Sequence, residues 1–461
     1  MADPAPSPSP GSAADAVLAY REALGTSEAE LVEFGIDALD VTGVPVWTVA
    51  AFLPGGRLRN GVGYGHDLDA AQASALGECL EVLWATSLPA VRRGPAGPDS
   101  LDPRALVLDA GRTWSPGDER LWVRARRLPA GDEVEVPLEL VAQTASDLPA
   151  GYDPLVTPIT NGLGVHTSYE AALDHSLREL VQRDGNAVAY RALDRGIAID
   201  VELDELAPGV RPIAKAAISD LGLANVYVVG DDPHPGHPLM LTACGEAADP
   251  DPAVAVGKAL REFGMSRVRK AFSHGPLEPV AAIAPPRYMD HVRGLDLSGE
   301  EPAALEGMLD WLAQGEEGLR EHNRLALSVA QTIALDDLPR STGRSTYELL
   351  VERGFEVLAV DLTPADAPPG VHLVKALVPR LEVETMSYGR CGPRNLQRLL
   401  ERDLGLVGEG PAPAGTLALP LPDGHGPAWL DPRRVREVVG ELYPLYREPS
   451  RHAAPLTLAR R

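Results

Sequence analysis

Three short stretches hold the side chains able to do chemistry. Glu78 and Glu81 stand about one helical turn apart in SALGECLE, Glu179 precedes Gln182 and Arg183 in SLRELVQRD, and Glu262 precedes Arg267 in LREFGMSRV. Hard cations such as Mg2+ take near-octahedral sets of oxygens, commonly carboxylates together with nucleotide phosphates. Glu78, Glu81, Glu179 and Glu262 are therefore a candidate metal set. Arg183 and Arg267 come from the same stretches, with Arg261, Arg269 and Lys270 nearby, and guanidinium groups suit a triphosphate through charge-assisted bonds. One E-x-x-x-R pair is ordinarily a solvated surface ion pair. Three matched stretches argue for a site, the competing reading being three core helices whose glutamates face water.

The elements that position these groups follow from spacing. In Thr160 to Tyr190, Thr167 or Ser168 can cap a helix, and Ala172, Leu173, Ser176, Leu177, Leu180 and Val181 recur at helical intervals. Glu179 thus lies beside an apolar face, where a carboxylate is costly without a cation. A faint internal repeat extends the pattern. Ala71, Ala75, Leu76 and Glu78 share the spacing of Ala172, Ser176, Leu177 and Glu179, and of Ala255, Ala259, Leu260 and Glu262. Asp67, Ser168 and Asp251 each stand eleven residues before the glutamate, about three helical turns, so cap and carboxylate share a face. Further helices are expected at Ala14–Leu24, Ser27–Leu39, Pro302–Gln314, Ser345–Arg353, Asn395–Leu404 and Pro432–Leu445. Strands are expected at the end of Val41–Leu53, in RLWVRARRL and EVPLELVAQ, as a pair within Asn225–Ala243, in GFEVLAVDLT and in VHLVKALVPRLE. GVGYG, Gly61 to Gly65, reads as a flexible turn.

With 461 residues, the chain has room for several domains or one large unit. Its 42 basic and 66 acidic residues leave a net charge of −24, which opposes non-specific binding to nucleic acid or anionic membranes. No run approaches the roughly 18 apolar residues of a membrane span, and residues 1–13 read as a disordered Pro/Ser/Ala tail without signal-peptide character. Cys79, Cys244 and Cys391 are far apart and lack C-x-x-C spacing, so a reducing cytoplasm fits better than a disulfide framework. His234 and His237 have zinc-like spacing but no third ligand, and Cys79 reads as a buried structural thiol.

These residues resemble the YcaO family, whose members use ATP to activate backbone amides of ribosomally made peptides. SALGECLE, TNGLGVHTSYEAALDHSLRELVQRD, AVGKALREFGMSR and DLTPADAPPGVHLVKALVPRLE carry the likeness in family order, with TGVPVW upstream, over roughly residues 40 to 385. The resemblance implies an α+β fold, one large domain over 14–445 with sheets packed by helices and internal pseudo-repeat helices, followed by a tail at 446–461. It implies ATP and Mg2+ as cofactors, held by Ser74, Glu78, Glu81, Glu179, Gln182, Arg183, Glu262 and Arg267. The chain departs from the family pattern in several places. Val82 stands for arginine, Gln182 for glutamate, Met265 for glutamine, Tyr64 for lysine in a G-K-G turn, and Thr167 for asparagine.

The implied reaction is O-phosphorylation of a peptide amide with attack by a nucleophile, giving a thioamide, an amidine or an azoline. The TLARR ending, without the P-x-P-x-P tail common among the family's azoline formers, shifts the expectation toward the first two or toward an atypical azoline former. Implied partners are a precursor peptide, a separate leader-binding or TfuA-like protein, and a second copy in a homodimer. The alternative is a degenerate YcaO-like subunit that binds precursor or a catalytic partner without turning over ATP.

Overall fold

The computed structural model describes residues 12–54, 57–86, 88–186, 194–203, 206, 209–383, 389–439 and 448–461. Of the tail expected over residues 1–13, the first eleven lie outside the described residues, as do the end of the 160–190 stretch and the last part of the 432–445 helix, whereas Ser12 caps a helix that starts at Ala13. After α1 (Ala13–Gly25) come β1 (Glu30–Gly35), β2 (Val46–Leu53), β3 (Arg57–Tyr64) and α2 (Leu68–Trp84). Next, β4 (Val91–Gly94), β5 (Arg120–Leu128), β6 (Glu133–Pro137) and β7 (Leu163–His166) lead into α3 (Tyr169–Gly185). Then β8 (Ile197–Asp200), β9 (Arg211–Ala216), β10 (Ala224–Asp231) and β11 (Cys244–Asp249) lead into α4 (Pro252–His274). Helices α5 (Leu277–Ile283), α6 (Pro286–Arg293), α7 (Pro302–Ala313) and α8 (Gly315–Asn323) precede β12 (Gln331–Ala334), α9 (Thr346–Glu352), β13 (Val357–Asp361) and β14 (His372–Leu377). The chain closes with α10 (Pro393–Arg402), β15 (Val407–Glu409), β16 (Leu417–Ala418), β17 (Ala428–Leu430), α11 (Pro432–Val439) and α12 (Ala453–Arg460).

The strands form four sheets, ordered β1-β2-β3, β11-β10-β9-β8-β12, β4-β5-β13-β14-β7 with β6 beside β5, and β15-β17-β16. Three of them carry the repeat helices. Ala75, Leu76, Cys79 and Leu80 of α2 share a core with Val49 and Val165. Leu177, Leu180 and Val181 of α3 pack with Val357 and Ala376, and Ala255, Ala259, Leu260 and Phe263 of α4 pack with Val226, Val228 and Ala247. Asp67, Ser168 and Asp251 each accept a backbone N–H at the helix start, as their spacing predicts. No helix among the described residues is long and apolar enough to cross a membrane.

The small residues of the repeat have a steric purpose. A Cβ on Gly61 would lie 2.1 Å from the Ala75 carbonyl oxygen, and one on Gly63 would lie 2.0 Å from the Ala75 nitrogen. On Gly164 it would lie 2.5 Å from the Ala172 carbonyl, and on Gly245 2.0 Å from that of Ala259. Glycine strands thus touch helix backbone directly, a contact only glycine permits. This corrects the reading of GVGYG: Gly61–Tyr64 is the end of β3, pressed against α2, and not a flexible turn.

Other expectations change for similar tertiary reasons. Ser27–Leu39, read as helix, contains β1, in which Val32 and Phe34 are buried and the whole strand pairs with β2. The two-residue alternation, rewarded by pairing and burial, overrides local propensity. Within Asn225–Ala243, β10 is the expected first strand, whereas Pro238–Thr242 is a 3-10 turn capped by His237 and the second strand starts at Cys244. Residues 446–461 are not a loose tail where described. Arg451 and His452 are buried, and α12 follows them.

Gly245→Ala should lower unfolding stability by about 3 kcal/mol or more, because its methyl group enters the backbone of α4. Urea unfolding at pH 7 reads this, and an unchanged midpoint would contradict the packing described.

Candidate functional site

The close helix contacts bring each glutamate within reach of strand backbone. On α2, Glu78 Oε2 accepts the Val62 N–H at 2.5 Å and Glu81 Oε1 accepts that of Val165 at 2.9 Å. On α3, Glu179 Oε2 accepts the Gly162 N–H at 2.8 Å. On α4, Glu262 accepts the backbone N–H of Glu246 and lies 3.3 Å from the Tyr64 hydroxyl. The segment from Gly162 to Val165 therefore holds one carboxylate from α2 and one from α3. Ser74 is exposed one turn before Glu78, and Glu78 itself is open to solvent in a cleft that lies well below the outer surface.

Within this cleft the carboxylates feel one another. Desolvation raises the Glu81 carboxyl to about 8, with Glu179 adding to the rise. The same cause raises Glu262 to about 8, with Glu246 adding to it. Depth in the protein also raises Glu78 and Glu179, and their mutual repulsion contributes at Glu78. Arg183 is the cation at the centre, its Nη1 3.1 Å from Glu246 Oε2 and its Nε 3.9 Å from Glu179 Oε1. Gln182 Nε2 lies 3.4 Å from the same Glu246 oxygen.

Arg267 is placed elsewhere. It is 1% exposed and bonded to Asp40 at 2.8 and 2.9 Å and to Asp232 at 2.6 Å, a buried arrangement that holds α4 to the loops after β1 and β10. Its chemistry is structural, which E-x-x-x-x-R spacing could not reveal because Asp40 and Asp232 are remote in sequence.

Several groups at the cleft were not singled out by spacing. Glu246 on β11 was missed. Lys375, buried on β14, donates to the carbonyls of Ile159 and Asn161 at 2.9 and 2.7 Å. Burial pulls it down to about 8 against the opposing pull of Glu179 and Glu81. Arg451 donates to Thr48 Oγ1 at 2.9 Å and Asn60 Oδ1 at 2.7 Å, and its charge, like that of Arg269, favours ionised Glu78. Arg269 in turn holds Glu448 at 2.7 Å. Burial would raise the Glu448 carboxyl, yet Arg269, His274 and Lys270 outweigh it and bring it to about 2. His175 stands one turn before Glu179 on α3, and its depth in the protein, then Lys258, His166 and Arg178, bring it down to about 4. The Cys79 thiol is buried, and desolvation pushes it up to about 12.

The donor chemistry fits a hard divalent cation. Carboxylates whose proton affinity is raised by burial and by one another gain most from a nearby positive charge. Among the described residues no three His, Cys, Asp or Glu side chains are grouped closely enough to hold an ion in this arrangement. That applies equally to His234 and His237. The glutamates share a cleft without standing at the spacing of one ion's ligands.

Three consequences are measurable. Because Glu81 and Glu262 titrate near 8, a cation must displace protons at pH 7. Mg2+ affinity should rise between pH 7 and 9 and fall toward pH 6, with proton release seen by calorimetry in buffers of different ionisation enthalpy. A raised folded-state carboxyl costs stability as pH climbs above its unfolded value of about 4.3. Glu81→Gln should therefore raise the metal-free melting midpoint at pH 8 by roughly 1–3 °C, the gain vanishing near pH 4. Arg267→Met should cost about 3–5 kcal/mol by leaving Asp40 and Asp232 buried and unpaired, read by urea unfolding.

Comparison with known proteins bears on the family and the fold. The family model for YcaO cyclodehydratase, ATP- and Mg2+-binding, matches residues 62–382. An uncharacterised protein of Methanothermobacter thermautotrophicus is 29% identical over 384 residues, covering 78% of this chain and 91% of that protein. Among solved structures, YcaO from Methanopyrus kandleri bound with AMPPCP and Mg2+ superposes with a TM-score of 0.57 at 21% identity, covering 83% of this chain and 96% of that one. A heterocyclase in complex with substrate and cofactor gives a TM-score of 0.58 at 16% identity, covering 82% of this chain and 53% of that one. With most of its length matched by the family model, the chain belongs to the YcaO family, a family that binds ATP and Mg2+.

Proposed function

We propose that this protein is a cytoplasmic ATP- and Mg2+-dependent enzyme that activates a backbone amide of a ribosomally made precursor peptide by O-phosphorylation. The observation that carries the reading is that Glu78 and Glu81 of one helix lie near Glu179 of the next, while Glu179 and Glu262 both lie near Arg183. When bound, Mg-ATP supplies the phosphoryl group that turns the amide oxygen into a leaving group. The protein's part is positioning and charge. The carboxylates bind the cation, the strand N–H groups fix their oxygens, and Arg183 meets developing negative charge on phosphate. Lys375 and Arg451 remain behind the carboxylates, where their charges favour the ionised forms. Ser74, at the exposed level of α2, is available to the nucleotide. The product is a thioamide, an amidine or an azoline according to the nucleophile, and a leader-binding or TfuA-like partner delivers the peptide. Cys79 and Cys391 are buried thiols, which suits a reducing compartment.

A second reading is favoured by three substituted positions. Where the family has the lysine of a G-K-G turn, Tyr64 places a neutral hydroxyl against Glu262; Gln182 brings no charge in place of glutamate, and Met265 cannot replace the hydrogen bonds of a glutamine. A subunit that binds precursor or a catalytic partner without turnover would tolerate these changes.

The two readings separate in one experiment. Purified protein with its precursor peptide should release ADP and phosphate, and Glu78→Ala or Glu179→Ala should reduce this by about 100-fold or more. A wild-type protein that neither binds nor hydrolyses ATP would overturn the enzymatic reading. Full pathway activity in Glu78→Ala would establish the second.

A further inference from the structure

We propose that Glu246, on β11, stands in for the acidic group missing at Gln182 and acts as a working carboxylate of the metal-nucleotide site. The inference rests on the proposed function and concerns how this chain meets the charge requirement of that site with an altered motif.

The helical stretch that begins with Glu179 has an uncharged amide three residues on, beside Arg183. The adjacent strand supplies the anion. Glu246 Oε2 lies 3.1 Å from Arg183 Nη1 and 3.4 Å from Gln182 Nε2, so a carboxylate oxygen sits one hydrogen-bond length from the tip of the neutral side chain. Glutamate and glutamine have the same shape. A glutamate at 182 would meet Glu246 carboxylate to carboxylate at that distance, a pairing that keeps one of the two protonated. One acid at either position satisfies the geometry; two conflict.

Glu246 is also placed to serve both halves of the cleft. Its backbone N–H holds Glu262 of α4, its side chain holds Arg183 of α3, and its charge reaches Glu179 and Glu262 alike. Its flanking residues Gly245 and Ala247 are buried on the other face of β11, against α4. The side chain is 15% exposed, on the side shared with Glu179 and Arg183. An anion needed only to neutralise Arg183 would account for the ion pair alone, so the test must separate charge balance from metal binding.

Full-length protein is titrated with Mn2+ and a non-hydrolysable ATP analogue, followed by calorimetry and by the Mn2+ electron paramagnetic resonance signal. Glu246→Gln should weaken Mn2+-nucleotide binding by about 10-fold or more, with the melting midpoint confirming a folded protein. The exchange variant Gln182→Glu/Glu246→Gln should recover most of that loss. Wild-type affinity in Glu246→Gln, or an exchange variant as weak as Glu246→Gln, would overturn the inference while leaving the enzymatic reading intact. Absence of Mn2+-nucleotide binding by the wild type would overturn both.

Discussion

The contact of helix backbone on glycine backbone is the constraint from which the cleft follows. At Gly61, Gly63, Gly164 and Gly245 the strands leave no room for a side chain, so α2, α3 and α4 lie closer to their sheets than ordinary packing allows. At that separation a glutamate three residues after the small contact residue can reach a strand N–H. Ala75 precedes Glu78, Ser176 precedes Glu179, and Ala259 precedes Glu262 by that interval. The steric pattern and the placement of the acids are one arrangement used three times. Each hydrogen bond fixes one oxygen of a carboxylate and directs the group into the cleft.

The arrangement brings like charges together, and the protein offsets this from outside the helices. Lys375 is anchored by two carbonyls on the far side of Glu81 and Glu179, and Arg451 is anchored by Thr48 and Asn60 near Glu78. Both cations are buried and held by neutral acceptors, so that among the described residues their charge acts on the glutamates without a closed ion pair that would compete with a ligand. Arg183 differs because it contacts carboxylates directly. The cleft therefore combines fixed background charge with one mobile-length guanidinium at its centre, an electrostatic layout suited to changing charge during phosphate transfer.

Much of this was legible in the sequence, and what was missed has a common cause. The caps Asp67, Ser168 and Asp251, the helices they start and the recurring small-L-x-E pattern are local, and helical spacing alone placed them. The glycine-rich GVGYG was misread because its conformation is set by α2, not by its own residues. Ser27–Leu39 was misread for the same reason, since β1 exists through pairing with β2. Glu246, Lys375 and Arg451 carry no local signal: each is an isolated charged residue whose partners lie far along the chain. Arg267 had a signal that pointed the wrong way, for Asp40 and Asp232 claim it within the interior. Local rules found the carriers of the carboxylates; only folding showed which cations accompany them.

Arg451 meets Thr48 across 403 residues of sequence. A nascent chain emerging from the ribosome can form α2, β3 and the Glu78 hydrogen bond long before this guanidinium exists. Until then the cleft lacks one of the two arginine charges that favour ionised Glu78. The order of synthesis thus delays the finished charge balance until Arg451 has been made, so a product truncated before it would carry the visible helices of the site and an incomplete electrostatic interior.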